Sequence, residues 1–164
     1  MAEVIEQFFL ELVGEELCVF LCAMLPIIEL RGAIPLGAAL ELHPVLNYTL
    51  AIAGNLLPVP FILLFIRRFL AWLGKFPRFE RMVNRLNQKA EKGRGKVEKY
   101  AVLGLAIFVA VPLPGTGAWT GALVAALAGM RFSKAMISIV GGVLFAGVVM
   151  SLVSYGVVAA FALF

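Results

Sequence analysis

Two charged side chains with complementary chemistry stand in the middle of an apolar stretch, residues 25–37 (LPIIELRGAIPLG). A carboxylate such as Glu29 can take up and release a proton, and a guanidinium such as Arg31 can bind an anion. Placing either group at membrane depth costs several kcal/mol or more, so such residues usually serve a function. We expect Glu29 and Arg31 to form a substrate or proton site. The alternative is a buried structural ion pair that holds the local fold.

The residues around this pair predict a helix break. Pro26 and Pro35 bracket the charges, and Gly32 lies between them. Proline removes a backbone donor and clashes with the preceding turn, while glycine weakens a helix. We therefore expect no uninterrupted helix through Glu29 and Arg31, but a broken helix at membrane depth. Irregular backbone there must be enclosed by protein or line a water-filled cavity.

A second apolar block is broken in a similar way by residues 112–121 (PLPGTGAWTG). Half-helices that begin near Gly32 and near Thr116 would point free N–H groups and positive dipole ends at a shared space. We predict that the two tips face each other across a small polar chamber that favours an anion such as phosphate. Its predicted lining is Glu29, Arg31, Asn55, Thr116 and Thr120, with Trp119 as lining or as a packing aromatic. The predicted hairpin tips and helix breaks are Pro26, Gly32, Pro35, Pro58, Pro60, Pro112, Pro114, Gly115 and Gly117.

Composition gives the class of protein that must position these residues. The chain has 164 residues, of which 62% are hydrophobic and 15% are charged, and its mean hydropathy is +0.99. We expect an integral membrane protein with a single domain over residues 1–164. No basic segment precedes the first apolar run, so a cleaved signal peptide is not expected. Residues 3–16 have the spacing of an amphipathic surface helix.

Segment lengths predict the membrane crossings. Residues 17–42 are too few for two crossings, which need roughly 40 helical residues. This block is therefore one crossing or a re-entrant hairpin, and residues 100–130 form a comparable broken block. Residues 45–73 are long enough to span, with an irregularity near Asn55, Pro58 and Pro60. Residues 132–164 form the last predicted span.

Charges favour one topology among these alternatives. Residues 75–99 contain nine lysines or arginines and three glutamates, which marks a cytoplasmic connector, partly a surface helix, beside lipid head groups. If both broken blocks are re-entrant hairpins, every basic residue except Arg31 lies in the cytoplasm and both termini lie outside. The fold predicted is all-α, an inverted repeat of re-entrant hairpin plus transmembrane helix over about 17–73 and about 100–164.

Small residues support this repeat. Ala33 and Gly37 in the first half and Gly117 and Gly121 in the second are both spaced by four and stand 84 positions apart. Such spacing lets helix backbones approach closely, so packing alone explains it as well as any functional use. Ser138, Gly142 and Ala146 extend the pattern along the last span.

Other chemistry is not indicated. Cys18 and Cys22 stand in an apolar run, where we expect small hydrophobic packing residues, and His43 is expected in a loop. We expect no metal, no cofactor and no nucleic acid partner. The chain shows no nucleophile paired with a base and no Gly-rich phosphate loop, so an enzyme is not expected.

The motifs PIIELRGAIPLG (26–37) and PLPGTGAWTG (112–121) resemble the bacterial and archaeal family called putative small multi-drug export proteins, over essentially the whole chain. That family is similar in plan to the DedA and VTT-domain superfamily, which implies two opposed re-entrant hairpins and transport of phospholipids or polyprenyl phosphates. The resemblance implies that Glu29 and Arg31 match the acidic and basic residues of the first hairpin. The second motif differs from DedA proteins because it carries no arginine. A multi-pass protein of a prokaryotic plasma membrane is expected.

Three functions remain open at this point. The leading one is a transporter or scramblase, linked to protons through Glu29, for a phosphate-bearing lipid or polyprenyl phosphate. The second is a small-molecule or drug exporter that uses Glu29 for proton antiport, although Arg31 would repel a cationic drug. The third is a non-transporting membrane scaffold that packs and forms a homodimer.

Overall fold

The computed structural model describes residues 14–73, 96–113 and 115–161. Most of the predicted surface helix over residues 3–16, most of the connector over 75–99, and Pro114 lie outside these residues. The described chain is helical and contains no strand. Its helices are α1 (Glu15–Met24), α2 (Glu29–Ala39), α3 (Pro44–Leu56), α4 (Pro58–Leu73), α5 (Lys96–Ala110), α6 (Ala118–Leu127) and α7 (Phe132–Phe161).

Helices α1 and α2 form hairpin 1, joined by a turn over residues 25–28 that contains Pro26. They have 10 and 11 residues, so each is about 15–17 Å long, roughly half of a hydrocarbon core of about 30 Å. Glu29, the first residue of α2, has a φ of 52°. This left-handed backbone is uncommon for a residue other than glycine and marks the sharp change of direction after the turn.

The predicted break at Gly32 and Pro35 is wrong, because both residues lie inside α2. Pro35 cannot donate a hydrogen bond to the carbonyl of Arg31, and it costs the helix one bond. The helix nevertheless continues on both sides of Pro35, where Ala33, Ile34 and Ala38 are buried in the core. Packing therefore outweighs the local effect of the proline, and the actual break lies one turn earlier, before Glu29.

The first span consists of α3 and α4, separated by a turn at Leu57. Its apolar part, Pro44–Ile66, has 23 residues with a mean hydropathy of 2.1. Pro58 is the first residue of α4 and Pro60 lies in its first turn. Since neither has an N–H group, the carbonyls of Gly54 and Leu56 lose their helical donors. The irregularity predicted in the middle of this span is confirmed.

Helices α5 and α6 form hairpin 2, joined by a turn over residues 111–117. The turn contains Pro112 and Gly115. Gly115 has a φ of 83°, a left-handed backbone conformation that glycine adopts without steric cost. Gly117 precedes α6 as its N-cap residue, so this helix begins two residues after Thr116. The last span, α7, includes an apolar stretch of 29 residues, Phe132–Ala160, with a mean hydropathy of 2.4.

Small residues allow close approach of helices, although the two matched pairs meet different neighbours. A Cβ atom on Gly142 would lie 2.7 Å from the carbonyl oxygen of Ala106, so α5 and α7 pack backbone against backbone there. Gly37 faces Asn47 of α3, whereas Gly121 faces Val109 of α5. The offset of 84 residues therefore does not bring equivalent contacts together.

Packing between the halves follows a reciprocal pattern. The first helix of each hairpin packs on the span of its own half, α1 on α3 and α5 on α7. The second helix of each hairpin packs on both spans, chiefly on that of the other half, α2 on α7 and α6 on α4. This packing between the halves brings the two turns toward each other. The length and composition of the two spans are those of a helical membrane protein.

Candidate functional site

The turns of the two hairpins enclose a cavity of about 210 Å³. It contains four of the five predicted lining residues, and Asn55 does not line it. The lining consists of Pro26, Ile27, Ile28, Glu29, Arg31, Gly115, Thr116 and Thr120. The structure thus brings together residues from both predicted tips, although α2 begins at Glu29 and not near Gly32.

Arg31 reaches across the cavity to the end of α5. Its Nη2 donates a hydrogen bond to Thr116 Oγ1 at 2.7 Å and to the carbonyl of Val111 at 3.4 Å. Its Nη1 donates to the carbonyl of Leu113. These carbonyls lie just beyond the end of α5, where the helix dipole favours a cation, and each also accepts a backbone N–H within the turn. Arg31 thus adds a charged donor at the C-terminal end of a helix in the other half.

Thr116 connects the guanidinium to the same turn. Its hydroxyl oxygen lies 2.7 Å from the carbonyl oxygen of Val111 and 2.9 Å from that of Leu113, and it can donate its proton to either. At the same time it accepts from Arg31. The hydroxyl therefore holds the turn in the shape that receives the guanidinium.

Glu29 is buried, with 7% of its surface exposed, and it contacts the opposite end of hairpin 2. Its Oε1 accepts a hydrogen bond from the backbone N–H of Trp119 at 3.3 Å, in the first turn of α6. Helix α6 has no side-chain cap of its own, because Gly117 stands at its N-cap position. A Cβ atom on Gly117 would overlap the carboxylate. Glu29 therefore supplies, from the other hairpin, the acceptor oxygen that the free N–H groups of a helix N-terminus need.

The two charged groups make their hydrogen bonds to hairpin 2, and not to each other. Glu29 contacts the start of α6, and Arg31 contacts the end of α5. Both side chains come from one turn of α2, so their separation is set by that helix. They contact the two helix ends that flank the turn of hairpin 2. The arrangement ties the hairpins together and also leaves one donor unused. The Nε of Arg31 is buried and has no partner.

Trp119 contributes more than the packing or lining that the sequence suggested. Its indole Nε1 donates to the carbonyl of Met24 at 3.0 Å. Met24 is the last residue of α1, where carbonyls lack helical donors. Trp119 therefore joins α6 to hairpin 1 through its side chain as well as its backbone. Only the tertiary contact between the turns reveals this role.

A second polar cluster, which sequence reasoning missed, holds the middle of α2 and the loop that follows it. Asn47 Nδ2 donates to the carbonyl of Ile34 and to the hydroxyl oxygen of Tyr155, each at 2.9 Å. Tyr155 in turn donates to the carbonyl of Leu42 at 2.7 Å. These bonds fasten α2 and the loop after it to α3 and α7. The sequence signal that could have indicated this cluster is a polar residue inside each apolar span, Asn47 in the first and Tyr155 in the last.

The remaining candidates take no part in the cavity. Cys18 and Cys22 are fully buried on one face of α1, with their sulfur atoms 3.9 Å apart. His43 is exposed immediately before α3. Over residues 14–73, 96–113 and 115–161, no group of three or more His, Cys, Asp or Glu side chains could hold a metal ion.

Comparison with known proteins gives one finding. The family model described as "Putative small multi-drug export protein" matches residues 29–149. The match begins at Glu29, just after the turn of hairpin 1, and covers α2, the first span, hairpin 2 and residues 132–149 of α7. No curated protein and no solved structure matches the chain.

Proposed function

The chain belongs to the putative small multi-drug export protein family, and from this membership in a family of membrane transporters we propose a proton-linked transporter with its site in the cavity between the hairpins. The proposed cargo is a lipid or polyprenol that bears a phosphate group. The observation that carries the proposal is the convergence of Glu29 and Arg31 on one cavity from a single turn of α2. No enzymatic step is part of the proposal.

Arg31 is the proposed ligand of the phosphate. Guanidinium groups bind phosphate oxygens through planar, charge-assisted hydrogen bonds. The Nε–H of Arg31 is buried without a partner and would supply a further donor once the side chain moves toward the anion. The Nη groups bond to carbonyls of exposed turn residues, Val111 and Leu113, which can be hydrated when phosphate replaces them. Binding of an anion would thus loosen the contact of Arg31 with hairpin 2.

The size of the cavity favours a small charged group over a whole drug molecule. Pockets for drug-sized ligands usually measure about 300–1,000 Å³, and this one measures about 210 Å³. A phosphate group fits within that volume. The hydrocarbon part of a lipid would then remain in the bilayer, as in a scramblase.

Glu29 is the proposed proton site. Its carboxylate is the acidic group of the cavity lining and accepts a bond from the start of α6. Protonation removes the negative charge that α6 favours at its N-terminus. The tie between the hairpins would therefore weaken when Glu29 takes up a proton, which links the movement of hairpin 2 to the proton gradient.

The proposed topology is an inverted repeat of two re-entrant hairpins, each followed by a span, in a prokaryotic plasma membrane. Short hairpin helices and the reciprocal packing of α2 on α7 and of α6 on α4 support it. Both termini would lie outside, and the connector over 75–99 in the cytoplasm. Cysteine labelling from each side tests this in a Cys18→Ala, Cys22→Ala background. Glu41→Cys and Lys89→Cys should react from opposite sides, and reaction from the same side would exclude the topology.

Drug export by proton antiport is the second candidate, and the family description favours it. Glu29 would then bind protons and a cationic drug in alternation. The nearby positive charge of Arg31 opposes this, because it repels a cation from the carboxylate. A non-transporting scaffold that forms homodimers is the third candidate.

Flux in proteoliposomes separates the three. Labelled polyprenyl phosphate or phospholipid and a labelled organic cation are compared, with and without an imposed pH gradient. We expect gradient-dependent movement of the phosphate-bearing lipid and no movement of the cation. Movement of the cation alone would establish the antiporter, and movement of neither would leave the scaffold.

A further inference from the structure

Asn55 is a buried polar residue without a hydrogen bond. Its side chain is fully buried, yet neither Oδ1 nor Nδ2 has a partner. A buried amide that forms no hydrogen bond destabilises a folded protein. Asn47 lies on the same face of the span, two turns earlier, and its Nδ2 bonds to Ile34 and Tyr155. Asn47 Oδ1 has no partner, so Asn47 is half satisfied, whereas Asn55 lacks a partner on both of its polar atoms.

The backbone next to Asn55 also has free hydrogen-bonding capacity. The span is interrupted at Leu57, and α4 begins with Pro58. Pro58 and Pro60 cannot donate to the carbonyls of Gly54 and Leu56. The carbonyls of Gly54 and Leu56, the residues on either side of Asn55, therefore lack the N–H donor that residue i+4 supplies in a continuous helix. Broken helices with unwound carbonyls form substrate and ion sites in several transporter folds.

The position of this break relates it to the cavity. A Cβ atom on Gly54 would lie 3.0 Å from the Cβ of Ala23, and it would overlap the carbonyl oxygen of Phe20. Ala23 belongs to the last turn of α1, next to Met24, whose carbonyl bonds to Trp119. The break in the first span therefore lies at the level of the turn of hairpin 1, the same level as Glu29 and Arg31.

We propose that Asn55, beside the break in the first span, forms a second polar site on the transport path, which binds a hydroxyl or ammonium group of the transported molecule. This inference rests on the proposed function and assigns a further contact to it. The unpaired Oδ1 suits a donor group, and the apolar residues one turn before and after Asn55, Ala51 and Val59, offer no competing partner. The unpaired Asn55 amide is explained if it forms a hydrogen bond with the cargo while the cargo passes.

A stability comparison of two variants tests the proposal. Asn55→Leu replaces an unpaired amide by an apolar group of similar shape, so the Tm should stay or rise. Asn47→Leu removes two hydrogen bonds and should lower the Tm by several degrees. Flux of the phosphate-bearing lipid should fall roughly tenfold in Asn55→Leu, a transport barrier change of about 1.4 kcal/mol. A drop in Tm equal to that of Asn47→Leu, or unchanged flux, would overturn the proposal.

Accessibility gives a second test that does not depend on the identity of the cargo. Asn55→Cys and the matched control Ala51→Cys are made in the Cys18→Ala, Cys22→Ala background and exposed to aminoethyl methanethiosulfonate, a small reagent with an ammonium group. Both positions are fully buried in the structure. We expect labelling of Asn55→Cys at least tenfold faster than of Ala51→Cys. Equal rates would overturn the second site. If the wild type moves no tested lipid while Asn55→Cys is labelled selectively, the proposed cargo fails and the second site stands.

Discussion

The two hairpins have similar shapes and opposite chemistry. Hairpin 1 carries a carboxylate and a guanidinium within one turn of helix, whereas the described residues of the hairpin 2 turn, 111–113 and 115–117, carry no charge. Hairpin 2 contributes the N–H of Trp119, the carbonyls of Val111 and Leu113, and one hydroxyl. One half thus supplies the charges and the other supplies helix ends that match them. A site of this kind needs charged residues in only one of its two halves.

The hairpins also differ in how firmly they are held. Asn47 and Tyr155 fasten the C-terminal part of hairpin 1 to both spans. The turn of hairpin 2 exposes Val111, Pro112, Leu113 and Gly115, and the described side-chain bonds that link it to the rest of the protein come from Arg31, Glu29 and Trp119. If one hairpin moves during transport, these contacts indicate that hairpin 2 is the one that moves. Substitutions in one hairpin at a time separate its contribution to these contacts from that of the other hairpin.

Arg31→Ala should have the largest effect, because it removes the proposed phosphate ligand. We expect flux of the phosphate-bearing lipid to fall more than tenfold, a change of at least about 1.4 kcal/mol in the transport barrier. The carbonyls that lose their donor belong to exposed residues, so the Tm should fall by only a few degrees. Arg31→Lys is the control, because it retains the charge without the planar fork and should restore flux in part. Failure of Arg31→Ala to insert or fold would indicate a structural role instead.

Glu29→Gln, which also lies in hairpin 1, tests proton linkage. The amide keeps an oxygen that can accept from Trp119 but loses the proton site. We expect the fold and lipid binding to persist, while flux no longer responds to an imposed pH gradient. Flux with and without the gradient, in the variant and the parent side by side, gives the answer. A variant that still responds as the parent does would rule out Glu29 as the coupling residue.

Gly117→Ala alters hairpin 2, at the start of α6, without changing any charge. The added methyl group overlaps the Glu29 carboxylate, so it should separate Glu29 from α6 and destabilise the protein by about 1–3 kcal/mol. Gly104→Ala is the matched control in the same hairpin, since nothing lies within 4 Å of its Cβ position. It should be neutral or stabilising by up to about 1 kcal/mol. Equal denaturation midpoints for the two variants would show that the contact between Glu29 and α6 is absent.

Trp119→Phe should have the smallest effect. It keeps most of the aromatic packing and removes only the indole N–H, which bonds to Met24. We expect a loss of about 0.5–1.5 kcal/mol, and lipid flux within twofold of the parent. Because the backbone N–H of Trp119 remains, the bond to Glu29 should persist. Loss of the response to a pH gradient in this variant would mean that the indole takes part in coupling.

The sequence predicted the parts of this site that depend on local rules. Prolines located the break at Leu57 and the non-helical turn around Pro112, and the cost of charge in a membrane identified Glu29 and Arg31. Local rules were wrong where tertiary packing prevailed, because α2 continues through Gly32 and Pro35. The contacts of Trp119, Asn47 and Tyr155 were not predictable for another reason. Their partners lie up to 113 positions away, and no pattern within one helix specifies them.

The length of the last span has a consequence for the bilayer around the protein. Its apolar stretch Phe132–Ala160, with 29 residues, corresponds to about 43 Å of helix, against an average hydrocarbon core of about 30 Å. This helix must tilt, or the lipid beside it must thicken. The hairpins pack on both spans, so a change in tilt would be transmitted to the cavity. Acyl chain length is therefore expected to act as a control on transport, with thin bilayers imposing the largest tilt on α7.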